Sequence, residues 1–272
     1  MPNENNWLTS NMNERLLNPN LDFQILLNPQ PYKDIEFHKA VEIAALKIAN
    51  KHDNLYVGLS GGLDSEYITI RMKELKIPFK TIIIKMSGNV NNSNESAYAF
   101  HLCKKLNIKP IVLECSDILF YELYRKEIFN KLNGASWLVV PSILSHKYVA
   151  KNNGTLITGE HVIDDEPNIT KVSMGEWDFY LDVLYPNNSS VGLLAYTPEI
   201  TYAIVKSYDA TEVQEFKSKL YGVNFRPKLT TTFLKDEEQK YIKLRNSFPR
   251  PKYMCVLGEK DKFLLMMEKW NK

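Results

Sequence analysis

The 272-residue chain has few cysteines and no long hydrophobic run. Its three cysteines are odd in number and far apart, and none belongs to a C-x-x-C pair, so the sequence gives no sign of a disulfide framework or a cysteine-rich zinc site. No apolar run approaches the roughly 20 residues of a membrane-spanning helix. The polar amino terminus also lacks the apolar core of a signal peptide. We therefore expect a cytoplasmic protein that does not enter a membrane.

An excess of charge of one sign is also missing. The chain has 34 basic and 32 acidic residues, which gives a net charge of +2. Most proteins that bind nucleic acids use a basic surface. The near balance of basic and acidic residues therefore argues against a nucleic acid as partner. The hydrophobic share of 44% and the charged share of 24% are typical of a folded globular protein and exclude a disordered chain.

Short apolar runs alternate with helical patterns in the first two thirds of the chain. This alternation predicts strands at residues 55–59, 79–84, 110–113 and 155–158, with helices between them. It is typical of the α/β class, in which a parallel sheet has helices on both faces. After about residue 165 helical patterns dominate, at 197–205, 236–246 and 259–270. We predict an N-terminal arm at 1–33, an α/β domain at 34–165 and a mainly helical region at 166–272.

A turn built from glycine and serine follows the first predicted strand. It reads Ser-Gly-Gly-Leu-Asp-Ser over residues 60–65 and lies where a strand ends and a helix begins. Adjacent glycines let the backbone adopt positive φ and come close to a ligand. The amides of the turn and of the helix start form an anion site together with the helix dipole. The sequence therefore predicts a phosphate site formed by Ser60, Gly61, Gly62 and Ser65.

Asp64 is the unexpected member of this turn. A carboxylate next to a phosphate repels it, unless a cation lies between the two groups. Oxygen ligands from carboxylates and phosphates are those that Mg²⁺ prefers. We therefore predict that Asp64 binds a Mg²⁺ ion at the phosphate site.

The turn is not a Walker loop, and it is not the glycine-rich turn of dinucleotide-binding domains. It resembles the pyrophosphate loop of the N-type ATP pyrophosphatases, and the whole chain is most similar in pattern to asparagine synthetase-like synthetase domains of that superfamily. The resemblance implies an adenine nucleotide alpha-hydrolase-like (HUP) fold whose loop holds the β- and γ-phosphates of ATP. It further implies that a carboxylate attacks the α-phosphate, releases pyrophosphate and becomes an adenylate. An amine or ammonia then displaces AMP and gives an amide.

Two segments at later strand ends resemble parts of the same site. The backbone after the second strand meets adenine in this superfamily, which makes Ile84, Lys85 and Met86 the candidates for that contact. The segment that begins Thr158-Gly159-Glu160 resembles the S-G-E-G-x-D-E segment of asparagine synthetase-like domains. This implies that Gly159 lines the nucleotide and that Glu160 acts at the reacting substrate.

The acidic residues that follow depart from that segment in spacing. His161 replaces a glycine, and one extra residue precedes the acids. Asp164 or Asp165 is therefore the second predicted Mg²⁺ ligand, and the choice between them stays open. Late in the chain, Arg226 and Lys228 fit an R-x-K pattern, which implies that they stabilise negative charge at the α-phosphate.

The partners follow from the resemblance. Residue 2 is Pro2, whereas asparagine synthetases with a glutaminase domain have a cysteine nucleophile there. The implied partners are therefore a small-molecule acid and ammonia or an amine, taken from solution or from an amidotransferase subunit; a homodimer is a further expectation. Two alternatives stay open. One is a tRNA- or nucleobase-modifying enzyme of the same superfamily, and the other is an adenine-nucleotide-binding subunit without catalysis.

Overall fold

The computed structural model of the protein describes residues 7–18, 21–88, 90–129, 139–159, 171–175, 190–208, 212–227, 232–233 and 254–271. In chain order the strands are β1 (Leu8–Ser10), β2 (Ile25–Leu27), β3 (Leu55–Gly58), β4 (Lys80–Ser87), β5 (Val90–Asn91), β6 (Ile111–Ser116), β7 (Thr155–Thr158), β8 (Lys171–Gly175), β9 (Ser190–Gly192), β10 (Thr232–Phe233) and β11 (Met254–Glu259). The α-helices are α1 (Met12–Leu17), α2 (Phe37–Lys51), α3 (Leu63–Glu74), α4 (Ser93–Lys105), α5 (Asp117–Leu123), α6 (Val140–Lys151), α7 (Pro198–Ser207), α8 (Val213–Tyr221) and α9 (Lys260–Lys269).

The centre of the fold is a five-stranded parallel sheet with the strand order β6-β4-β3-β7-β9. Successive side chains of a strand point to opposite faces. In β3, Val57 packs in the cluster formed with α2, α3 and α7, whereas Tyr56 packs against Val149 of α6. Helices thus cover both faces of the sheet, which confirms the predicted fold class. Burial on both faces explains why the strands read as continuous apolar runs rather than alternating ones.

The strand order reverses between β3 and β7. The chain runs from β3 to β4 and β6 on one side, and then returns to β7 and β9 on the other side. The carboxyl ends of β3 and β7 are Gly58 and Thr158, so the segments that follow them flank the point of reversal. In open α/β sheets, ligands bind in the crevice at such a point. The fold therefore places the 60–65 turn and Gly159 together, although they are far apart in the sequence.

The N-terminal residues are more ordered than the sequence pattern predicts. Strands β1 and β2 form an antiparallel pair around α1. The indole N–H of Trp7 donates to the carbonyl oxygen of Ala195 over 3.2 Å, and Trp7 is buried in the core cluster that also contains residues of α6, α7 and α9. Each of these strands has only three residues, which is too short for a readable period-2 pattern.

The region after residue 165 contains helices α7, α8 and α9, which confirms its predicted helical part. It also contains strands that the sequence analysis missed. Strand β9 adds the fifth strand to the parallel sheet, and β8 pairs with β11 in an antiparallel ribbon. The helix predicted at 236–246 lies outside the described residues, and the domain boundaries near 33 and 165 stay predictions. No helix within the described ranges has the length and hydropathy of a membrane span.

Candidate functional site

The 60–65 turn is held against a neighbouring helix. The amide of Leu59 still donates to Ile82 of the sheet over 2.9 Å, and α3 begins at Leu63, so the turn is only a few residues long. Gly61 has a φ of +94°, and a Cβ atom at this position would lie 2.0 Å from the carbonyl oxygen of Glu95. Any larger residue would collide with the backbone of the first turn of α4. Glycine is thus required at position 61 by both conformation and space.

Two serine hydroxyls hold the shape of this turn. The buried Ser65 Oγ donates to the carbonyl oxygen of Gly62 over 3.1 Å and accepts from the amide of Ser60 over 3.2 Å. The Oγ of Ser60 lies 3.1 Å from that of Ser65 and accepts from the amide of Gly62 over 3.2 Å. The serines therefore have a conformational role. A direct contact of Ser60, Gly62 or Ser65 with phosphate stays a prediction.

The N-terminus of α3, which is the positive end of its helix dipole, lies at this turn. Gly62 is the N-cap residue, and it has no side chain that could accept from the first amides of the helix. Within the part of the chain that the structure describes, the amides of Gly61 and Leu63 donate to no acceptor. Unpaired amides at a helix N-terminus, together with the helix dipole, attract an anion. This geometry suits an anion, and phosphate binding at the turn stays a prediction.

Asp64 is bound on both carboxylate oxygens by α8. The Nζ of Lys217 lies 3.0 Å from Oδ2, and the hydroxyl of Tyr221 donates to Oδ1 over 2.6 Å. The Lys217 side chain is only 3% exposed, and that of Asp64 is 22% exposed. The sequence analysis predicted neither partner. A usable signal was present: Lys217 stands midway between the apolar residues Val213 and Tyr221, at a spacing of four on one helix face.

The contacts of Lys217 and Tyr221 with Asp64 affect whether Asp64 can also bind the predicted Mg²⁺ ion. One oxygen of Asp64 already has a cationic partner and the other a hydroxyl donor. Within the described ranges, no three His, Cys, Asp or Glu side chains form a group that could hold a metal ion. The described residues around Asp64 therefore do not form a Mg²⁺ site by themselves, and binding of Mg²⁺ by Asp64 stays a prediction. Asp164 and Asp165 lie outside these ranges, and their role as metal ligands stays a prediction.

A stack of aromatic rings fixes Tyr221. Its ring lies 4.6 Å from that of Tyr67 at an interplanar angle of 14°, and Phe37 stacks on both. The Tyr67 hydroxyl in turn lies 2.8 Å from Nδ1 of His38. Burial raises the pKa of Tyr67, so its hydroxyl keeps its proton at neutral pH. The stack ties α2, α3 and α8 together and orients the Tyr221 hydroxyl at Asp64.

Gly159 and Arg226 both reach the first turn of α3. A Cβ atom on Gly159 would lie 2.8 Å from Cβ of Asp64, so the end of β7 is pressed against the helix start. Arg226 forms an ion pair with Glu66, and its guanidinium lies 4.8 Å from the centroid of the Tyr98 ring. The Nη2 atom of Arg226 is buried and has no hydrogen-bond partner among the described residues. The structure thus brings both predicted residues to the site, while their roles stay predictions.

The proposed adenine contact lies at the end of β4. The side chain of Asn92 accepts from the amide of Met86 over 2.9 Å and donates to the carbonyl oxygen of Ile84 over 2.9 Å. Asn92 is buried, whereas Lys85 is exposed. Two backbone groups of this segment are therefore already bonded within the protein. Contact of Ile84, Lys85 and Met86 with adenine stays a prediction.

Glu160, the acids Asp164 and Asp165, and Lys228 lie outside the described residues. The roles of Glu160 at the substrate and of Lys228 at the α-phosphate stay predictions.

No protein-family model matches the sequence, and no curated protein matches it either. Among solved structures, the chain is similar to the U34-tRNA thiolase NcsA from Methanococcus maripaludis, with 12% identity, 90% of this chain and 88% of that chain covered, and a TM-score of 0.41. It is also similar to the NMN synthetase from Francisella tularensis, with 13% identity, 79% and 94% covered, and a TM-score of 0.39. The NH3-dependent NAD synthetase from Campylobacter jejuni shows 18% identity, 87% and 94% covered, and a TM-score of 0.39. Similarities this low carry no information about function, which rests on the residues of the site.

Proposed function

We propose that the protein is an ATP-dependent, AMP-forming ligase that adenylates a carboxylate and transfers the acyl group to ammonia or an amine. The observation that carries this proposal is the 60–65 turn. It lies at the point where the strand order reverses, and it offers the amides of Gly61 and Leu63 at the positive end of α3. Such a site suits a polyphosphate tail. The resemblance of the turn to a pyrophosphate loop supports ATP as the source of that tail.

The proposed reaction has two steps. In the first, a carboxylate oxygen forms a bond to the α-phosphorus, the bond from this phosphorus to the bridging oxygen breaks, and pyrophosphate leaves with the electron pair. In the second, the nitrogen of ammonia or an amine attacks the carbonyl carbon, AMP leaves with its oxygen, and the nitrogen loses a proton. The turn amides stabilise the charge that develops on pyrophosphate. We propose that Glu160 acts at the reacting substrate. We propose further that Arg226 and Lys228 stabilise negative charge at the α-phosphate.

The reaction class is tested by its products. The protein is incubated with ATP, Mg²⁺, ammonium and a panel of small carboxylic acids, and nucleotides are separated by chromatography. We expect AMP and pyrophosphate in equal amounts with at least one acid. Ser60→Ala removes a hydroxyl that holds the turn, and we expect kcat/KM to fall about 10- to 100-fold. Ser207 at the end of α7 is exposed and offers a matched control. We expect Ser207→Ala to leave kcat/KM unchanged.

Other outcomes distinguish the alternatives. Formation of ADP and phosphate contradicts the proposed reaction class. AMP formation that depends on added tRNA favours a tRNA-modifying enzyme. ATP binding without AMP formation across the whole panel favours a nucleotide-binding subunit.

A further inference from the structure

Lys217 is a buried cation next to the phosphate site. Its side chain is 3% exposed, and it lies on the same face of α8 as the buried residues Val213 and Tyr221. An ammonium group is costly to bury unless an anion compensates it. Here Asp64 is that anion, at 3.0 Å, and it is the second residue of α3. Lys217 is therefore not a surface residue: it is buried and forms an ion pair with a residue of the turn.

The position of this pair matters for an anion at the turn. A carboxylate near the first amides of α3 repels a phosphate group, and the repulsion is strong in a partly buried site. Lys217 removes most of that repulsion, because its charge is within ion-pair distance of the carboxylate. Tyr221 adds a hydroxyl donor to the other oxygen, so α8 contacts both oxygens of the carboxylate.

We propose that Lys217 is the resident cation of the phosphate site, which neutralises Asp64 so that the phosphate tail binds at the turn without a metal ion on this carboxylate. The inference rests on the proposed function, because it requires that the turn binds the phosphates of a nucleotide. In physical terms, Lys217 of α8, a helix distant in the sequence, supplies the positive charge that the turn sequence alone suggested for Mg²⁺.

Equilibrium binding of ATP tests the proposal, measured by calorimetry in EDTA and again in Mg²⁺. The wild-type protein binds ATP in EDTA within about threefold of its affinity in Mg²⁺. Lys217→Met removes the ammonium group that pairs with the Asp64 carboxylate, so the phosphates meet more of its negative charge and binding in EDTA weakens at least about tenfold. Mg²⁺ restores part of that loss, because it replaces the missing cation. The control Lys219→Met, on the exposed face of the same helix, leaves the affinity unchanged in both buffers.

A double variant keeps the test valid if Lys217→Met folds poorly. Asp64→Asn combined with Lys217→Met removes both charges and keeps the side-chain volumes similar, so no buried charge is left without a partner. We expect this variant to bind ATP in EDTA within about threefold of the wild type. A wild-type protein that binds ATP only in Mg²⁺, or a double variant as weak as Lys217→Met, overturns the role of Lys217 and leaves the proposed function in place. Absence of ATP binding in both buffers instead removes the proposed function itself.

Discussion

Replacing Asp64 with alanine is expected to lower the free energy of unfolding by about 3–5 kcal/mol. The variant leaves the ammonium group of Lys217 in a place where only 3% of the side chain reaches water, and it removes the acceptor of the Tyr221 hydroxyl. Removing one partner of a buried ion pair is among the most destabilising changes that a single substitution produces. Denaturation by urea at neutral pH, followed by circular dichroism, measures the change.

The chain offers a matched control in a second aspartate–lysine pair. Asp34 lies 2.6 Å from Lys206, but both side chains are more than half exposed. Asp34→Ala is expected to change stability by less than about 1 kcal/mol, since water screens an exposed pair. Combining Asp64→Ala with Lys217→Met should recover much of the stability that Asp64→Ala loses. Equal and small effects of Asp64→Ala and Asp34→Ala would show that the Asp64–Lys217 pair does not form in solution.

Replacing Gly61 with alanine is expected to abolish ATP binding and to lower the free energy of unfolding by about 2–5 kcal/mol. About 1–2 kcal/mol comes from forcing an L-residue into positive φ, and a further 1–3 kcal/mol from overpacking. The second contribution arises because the new methyl group would meet the carbonyl oxygen of Glu95, a backbone atom that cannot rotate away. The turn must therefore move, and its amides leave their positions. Calorimetric titration with ATP and urea denaturation measure the two effects.

Gly222 separates the two causes of this effect. It ends α8 with a φ of +66°, and a Cβ atom there would meet nothing within 4 Å. Gly222→Ala thus carries only the conformational penalty, about 1–2 kcal/mol, and leaves ATP binding intact. If Gly61→Ala is no more harmful than Gly222→Ala, the turn is not packed against α4 as described.

The parts of the fold that the sequence predicted are those with a strong local pattern. The run that contains β3, the glycine pair and the helical pattern of α3 follow one another directly, so each supports the assignment of the next. The missed elements have weak local patterns. Strand β9 has three residues. The short strands β1 and β2 follow Trp7, whose indole donates to Ala195, almost 190 residues away in the sequence. Tertiary contact, rather than propensity, determines such elements.

The residues of the site also divide into those that the sequence predicts and those that it does not. Positions 60–65 and Gly159 were predictable because strand ends of a parallel sheet meet at one edge, and the structure brings them together. The partners of Asp64 were not, since Lys217 and Tyr221 lie more than 150 residues away on α8. Glycine spacing reveals a turn, whereas the charge that compensates a carboxylate depends on how distant helices pack. The sequence alone therefore did not predict that an ammonium group pairs with Asp64, and Mg²⁺ binding by Asp64 stays a prediction.

A crystal structure of the wild-type protein with ATP tests the central claim most directly. The account predicts that oxygens of the β- and γ-phosphates lie within about 3.2 Å of the amides of Gly61 and Leu63. It also predicts that Lys217 stays on Asp64 and that the α-phosphorus is open toward Arg226. ATP bound elsewhere on the protein, with no phosphate at the turn, would contradict the account.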